Sequence, residues 1–461
     1  MTDHAIHLQS ENGPLFYQIY DYFKTEIDEG HLAPGVLLPS IRKCAKSLGV
    51  SKNTVEVAYQ LLQSEGYVDN IPRKGYKVLE RSLTAAPSAL PEIAQWDSAH
   101  PIVYDFRYGN CKLSDFPFAN WNRLRNELIH GCMDEYSVVG DSQGEAVLRQ
   151  EILHLLHSSR GIAATPEQIV IGATPQQLVT LICQILNRDT SIIAVENPGY
   201  DGSRNTFINY GFTVKGIPLT DNGMEMEDLR SSSANIAYVS PSQQFIHKMV
   251  MPLSKRRELV QWLQKASYLI EDDYEWEFKY DEHPIPSIHS LDSTGKVLYL
   301  GSISKALLPV FNLGYMVLPP SLVPVFKERM PEYDQPVSVI DQLTFGQFLQ
   351  TGYWFRHVQR MRKNYARKRE LFFQAVTEYM GHHVVMRGKD SGLHLFLTVR
   401  TERSEEELID AALRAGIRVY ETSRYWFRDP ASYPTVLLGY GAMEEKQIKD
   451  GIQRLAKAWF S

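Results

Sequence analysis

Five short apolar runs, each ending in a turn of small and polar residues, constrain this chain most: "QIVIGA", "SIIAVENPGY", "ANIAYVSPS", "SYLIEDDYEWEF" and "KVLYLGSISK". Helical stretches separate them. Strand runs alternating with helices define an α/β domain with a largely parallel central sheet. In such sheets the chemistry gathers beyond the C-terminal ends of the strands, so the turns after these runs are where a site is expected.

The chain has 461 residues, too many for one core. Residues 1–80 read as a small head, residues 81–100 ("RSLTAAPSALPEIAQWDSAH") as an Ala/Pro/Ser-rich linker, and residues 101–461 as the α/β domain. The 44% hydrophobic and 22% charged residues are ordinary for a globular protein. No run approaches the roughly 20 apolar residues of a membrane span. The N-terminus lacks the apolar region of an export signal. Cys44, Cys111, Cys132 and Cys183 are scattered without a CxxC pair, so neither a metal site nor a disulfide framework is expected. A reducing cytoplasm is the simplest compartment.

In the head, "PLFYQIYDYFKTEIDEG" places Leu15, Ile19, Tyr22 and Phe23 at helical spacing, closed by Gly30. A second helix starts near Pro39–Ser40 and stops at Gly49. A third runs from an N-cap at Ser51 to Gly66. "YVDNIPRKGYKV" reads as a hairpin, which completes a winged helix-turn-helix. Net charge is −6. Yet Pro39 to Thr54 carries Arg42, Lys43, Lys46 and Lys52 without an acid, and the hairpin adds Arg73, Lys74 and Lys77. The head therefore has a candidate basic face on an acidic body, which fits a DNA-binding module or equally the solvated charges of a protein-interaction winged helix. The N-terminal residues of a recognition helix meet base edges. Here those are Ser51, Lys52, Asn53 and Thr54, with Arg42 toward phosphate and Lys74–Gly75 at the wing tip.

Three segments of the large domain carry chemistry that pyridoxal phosphate requires: a lysine for an aldimine, an acid against the pyridine nitrogen, and donors around a phosphate. "YLIEDDYEWEF" supplies acids past a strand. "GSISK" supplies Lys305, flanked by Ser302 and Ser304. "GATPQQL" ends a strand and opens a helix, and a helix N-terminus suits a phosphate.

"PLFYQI", "LPSIRKCAKSLGVSKNTVEVAYQLLQSEG" and "KGYKV" resemble the GntR-type winged helix. "SQGEAVLRQEILHLLHSSRGI", "VENPGYDGSR", "IEDDYEWEFKY", "SISKALLP" and "LGYMVLP" resemble the aminotransferase domain of fold type I. Together they resemble the MocR/GabR family of pyridoxal-phosphate-dependent regulators. The resemblance implies DNA contacts at Arg42, Ser51, Lys52, Asn53, Lys74 and Gly75. It implies an internal aldimine at Lys305, Asp272 against the pyridinium nitrogen, Tyr274 at the phenolic oxygen and Tyr200 on the ring. Ser302, Thr174 and Gln176 become phosphate candidates, and Gln244 keeps a family glutamine. Arg424 is the first choice for an effector carboxylate and Arg204 the second. The resemblance also implies a homodimer on paired DNA half-sites.

The chain departs from the family pattern at five positions. Gln243 replaces a histidine, Ile246 a proline and Lys248 a glycine in "SQQFIHK". Asn312 stands where an arginine usually follows the lysine by seven positions. Val139 replaces a phosphate-binding tyrosine, with Tyr136 nearby. The expected function is a regulator that senses an amine, an amino acid or pyridoxal phosphate itself. The alternatives are an active aminotransferase with a DNA-binding head and a degenerate regulator that has lost the cofactor.

Overall fold

Capping side chains and a shared apolar face decide the head's architecture. A computed structural model describes residues 14–72, 74–80, 101–132, 140–278, 285–388, 392–427 and 433–461. The chain separates into two compact units, residues 1–97 and 98–461. In the first, α1 (Leu15–Asp28), α2 (Ile41–Leu48) and α3 (Lys52–Ser64) precede the strands β1 (Val68–Ile71) and β2 (Gly75–Val78). Ser40 caps α2 by accepting from the Lys43 amide, and Gly49 ends it in the left-handed region at φ 66°. Ser51 caps α3 by accepting from the Thr54 amide at 3.1 Å. Ile19, Tyr20 and Phe23 of α1 pack with Val55, Ala58, Tyr59 and Leu62 of α3. Tyr22, expected in the apolar stripe, is half-buried. Tyr20 is buried instead, its hydroxyl donating to Glu65 at 2.6 Å. The expected linker, residues 81–100, lies outside the described residues.

In the second unit β3 (Tyr104–Asp105) precedes an eight-stranded sheet. Its strands are β4 (Ile169–Gly172), β5 (Ile192–Asn197), β6 (Thr213–Thr220), β7 (Gly223–Met224), β8 (Ile236–Val239), β9 (Tyr268–Asp272), β10 (Val297–Ser302) and β11 (Gly314–Val317). Their spatial order is β4-β11-β10-β9-β8-β5-β6-β7. Strands β10, β9, β8, β5 and β6 run parallel, and β11 is antiparallel to both its neighbours. Every residue of β4, β8, β10 and β11 is buried. Helices cover both faces of such a sheet, which is why its strands read as continuous apolar runs. A second, antiparallel sheet orders β12 (Val384–Arg387), β13 (His394–Val399), β16 (Thr435–Gly439) and β15 (Tyr420–Glu421), while β14 (Ile417–Arg418) pairs with β3. The fold is therefore α/β: a winged helix-turn-helix and a fold type I aminotransferase-like domain with a mostly parallel sheet.

The run Glu271-Asp272-Asp273 at the end of β9 shows how the sheet sorts charge. Successive side chains alternate between faces. Glu271 turns to one side and accepts from the amides of Ile288 (2.9 Å) and His289 (2.8 Å). Asp273 is held by the Arg160 guanidinium at 2.7 Å and the Tyr299 hydroxyl at 2.6 Å. Asp272 is left for the opposite side. Arg160 and Asp273 are both buried, so removing one partner leaves the other charge uncompensated. Arg160→Met is expected to cost about 3–5 kcal/mol in urea unfolding of the second unit. Adding Asp273→Asn should recover a large part of that loss.

Candidate functional site

Asp272, Lys305, Tyr274, Tyr200, Ser302, Ser304, Thr174 and Gln176 line one cavity of about 280 Å³ at the C-terminal ends of the parallel strands. They come from the ends of β9 and β10 and from the turns after β4 and β5, as strand-end chemistry requires. Asp272 is buried, and its Oδ2 accepts a hydrogen bond from the Tyr238 hydroxyl. The Tyr238 hydroxyl in turn accepts from Ser203 at 2.8 Å. Burial pushes the Asp272 carboxyl up to about 7; the Tyr238 hydrogen bond opposes this rise and neighbouring Asp273 adds to it. Among the described residues no cation touches Asp272, so its carboxylate awaits a partner such as a protonated ring nitrogen.

Lys305 sits in the turn after β10. Its Nζ lies 4.2 Å from the centre of the Tyr108 ring and makes no hydrogen bond or ion pair among the described residues. A side chain at Gly109, where φ is 87°, would meet that Nζ at 2.2 Å, so the glycine makes room for the amine. The Tyr274 hydroxyl is buried without a hydrogen-bond partner. At the other end Thr174 caps the helix Pro175–Ile185 by accepting from the Gln177 amide at 3.1 Å. That helix start, with the free hydroxyl of Ser302, makes an anion-binding corner. Ser304 lines the cavity too, but its hydroxyl is engaged with the Leu313 amide (3.0 Å) and carbonyl (3.2 Å). An unpaired buried acid, a free amine, an orphaned phenol and a helix N-terminus fit pyridoxal phosphate.

Three expected residues stand elsewhere. Gln244 donates to Glu196 at 3.0 Å, beyond the cavity wall. Arg424 donates to Asp201 Oδ2 through Nε (2.8 Å) and Nη2 (2.7 Å). Arg204 donates to the carbonyl oxygens of Arg424 (2.7 Å) and Tyr425 (3.3 Å). Val139 and Tyr136 lie outside the described residues. Asn312 lines the cavity.

Tyr108, Phe245 and Pro309 also line it without having been singled out from sequence. Lone aromatics in loops carry no local signal. Behind Tyr108, His394 packs at 4.0 Å between ring centres, and the buried Lys248 places Nζ 3.0 Å from His394 Nδ1. Burial lowers the Lys248 amine to about 7, with Glu275 opposing that fall and Lys305 adding to it. Tyr108 donates to Glu275 at 2.9 Å. Lys248 (φ 57°), Glu275 (φ 58°) and Asn312 (φ 41°) all adopt left-handed backbone. Such strain in non-glycine residues collects at functional sites, and at 248 it explains why the related pattern has glycine.

In the head, Arg42, Ser51, Lys52, Asn53 and Lys74 are exposed, and Thr54 is half-buried under its 2.8 Å contact with Ser51 Oγ. Gly75 opens β2 at φ 105°, a turn conformation that only glycine adopts freely. Lys43 and Lys46 lie exposed on the same helix as Arg42; Arg73 lies outside the described residues.

Residues 15–78 match the profile of the bacterial regulatory proteins of the gntR family. Residues 103–431 match that of aminotransferase class I and II. Over 451 residues the chain is 37% identical to the HTH-type transcriptional regulator YdeL of Bacillus subtilis (strain 168), covering 97% of each. It is 28% identical to the probable rhizopine catabolism regulatory protein MocR of Rhizobium meliloti over 97% of this chain and 94% of that one. The second unit also resembles the crystal structure of Pyrococcus horikoshii kynurenine aminotransferase in fold, with a TM-score of 0.71 at 24% identity over 78% of this chain and 91% of the other. Fold and site define a DNA-binding GntR head joined to a fold type I domain whose cofactor is pyridoxal phosphate. The chain belongs to the MocR-type family of HTH transcriptional regulators.

The Asp272 carboxyl makes a pH prediction for protein without cofactor. Its folded value, about 7, lies above the ordinary 3.8. The favourable contribution is therefore complete below pH 4 and is lost as pH rises through 7. Asp272→Asn should raise the thermal midpoint of the cofactor-free protein above pH 7, by a gain on the order of a few kcal/mol. The difference from wild type should vanish near pH 4 in thermal scans.

Proposed function

We propose that this protein is a transcription regulator that holds pyridoxal phosphate at Lys305 and responds to a small amine, an amino acid or the cofactor itself. One observation supports this most: Lys305, Asp272 and Tyr274 face one cavity with a free amine, an unpaired acid and an orphaned phenol. When bound, pyridoxal phosphate supplies an electrophilic carbon and an electron-withdrawing ring. Asp272 would keep a proton on the ring nitrogen, Tyr200 would cover the ring, and Ser302 with Thr174 and Gln176 would receive the phosphate. Lys305 would hold the group through its Nζ, and an incoming primary amine would compete with that Nζ for it. The response at the DNA follows if the effector binds two arrangements of the protein unequally, since only a differential affinity moves such an equilibrium.

The protein acts in the cytoplasm as a homodimer on paired half-sites, one head per half-site. Arg42 and Lys74 supply phosphate charge and Asn53 reads a base edge. Arg42→Ala and Lys74→Ala should each weaken binding to operator and scrambled DNA alike and reduce the salt slope by about 1. Asn53→Ala should relax discrimination at one base pair by about 1–3 kcal/mol. Mobility-shift titrations at several salt concentrations measure both.

A second reading, an active aminotransferase, draws on the same Lys305–Asp272 pair, which permits proton transfer as well as sensing. Purified wild-type protein with added cofactor should absorb in the visible, and Lys305→Ala should not; a colourless wild type contradicts the proposal. Amines should alter the band without sustained keto-acid formation. Sustained turnover with an amino donor favours the enzyme instead.

A further inference from the structure

The cavity has a second wall that the cofactor set leaves unused: Tyr108, Phe245, Pro309 and Asn312. Two of these are aromatic, one is an aliphatic ring and one a neutral amide. Phe245 is the hub of this wall. Its ring centre lies 4.8 Å from Tyr425, 5.5 Å from Tyr200, 5.8 Å from Tyr108 and 5.9 Å from Phe396. Leu437 and Ile246 close the cluster behind it.

Charge on this wall is already committed. Among the described residues Lys305 is the one cation that lines the cavity. Arg424 is neutralised by Asp201, and Arg204 is spent on two backbone carbonyls. Lys248 is turned to His394, behind Tyr108. A carboxylate placed against this wall would be desolvated with no cation opposite it among the described residues, which strongly disfavours binding. An amine is treated differently. The Lys305 Nζ already lies 4.2 Å from the centre of the Tyr108 ring, a cation–π seat for the nitrogen of an amine that takes its place.

We infer that the effector is a primary amine with an apolar or aromatic body and no carboxylate, seated on Tyr108 and packed against Phe245. This rests on the reading that the cavity holds pyridoxal phosphate at Lys305.

Matched pairs test it on full-length protein loaded with cofactor and freed of excess by dialysis. The pairs are 2-phenylethylamine against phenylalanine, tyramine against tyrosine, and 3-methylbutylamine against leucine. The readouts are the change in visible absorbance and the shift in DNA affinity. The amine of each pair should half-saturate at a concentration at least tenfold lower than its amino acid. Phe245→Ala should reduce that ratio several-fold while bound cofactor per chain, measured after alkaline release, stays as in wild type. Amino acids that match or outdo their amines, or a spectrum that neither class alters, overturn the inference and leave the cofactor reading intact. A wild type without a visible band overturns the cofactor reading, and the inference with it.

Discussion

A buried carboxyl without a counter-charge organises this protein. Asp272 ends the central strand β9, faces the cavity and has a tyrosine hydroxyl in place of a cation. Leaving it ionised there is costly, because burial opposes charge. The flanking acids face the other way, Glu271 on two backbone amides and Asp273 on Arg160, although burial pushes the Glu271 carboxyl up as well. The strand's alternation therefore places one acid in position to meet a protonated ring and two to hold the scaffold. Lys305 follows from the same geometry, since β10 pairs with β9 in a register that sets Leu300 opposite Asp272. The turn beyond then brings the amine over the cavity.

The departures from the related pattern have physical consequences around this centre. Lys248 occupies a left-handed position that favours glycine, and its amine goes to His394. Tyr108 is thus in contact with both Lys305 and His394, which in turn meets Lys248. Glu275, which opposes the lowering of the Lys248 amine, is itself bound to Tyr108. Asn312 puts a neutral amide where a guanidinium would bring charge to the cavity. The cavity lining outside the cofactor set is consequently aromatic and neutral.

The fold was legible because its signals are local. Apolar runs fixed the strands, Ser40, Ser51 and Gly49 fixed the ends of the head's helices, and "DDYEW" with "SISK" marked the two strand ends that meet. The site was legible only in part. Arg424 reads as an anion donor along the sequence, yet Asp201, more than 200 positions away, captures it. Gln244 reads as a cofactor residue, yet buried Glu196 needs its amide. Tyr108 and Phe245 carry no pattern at all; their place depends on the long-range packing of loops from β5, β8 and β13. Partners set by tertiary contact decide which polar side chains remain free, and one-dimensional spacing carries no record of them.

The central claim is that Lys305, rather than the neighbouring buried Lys248, anchors the cofactor. Reduction of cofactor-loaded protein with borohydride, followed by peptide mass spectrometry, fixes the attachment site permanently. The account predicts a phosphopyridoxyl group on the peptide containing Lys305 and none on that containing Lys248. Label on Lys248, or on no lysine of the cavity, would contradict it.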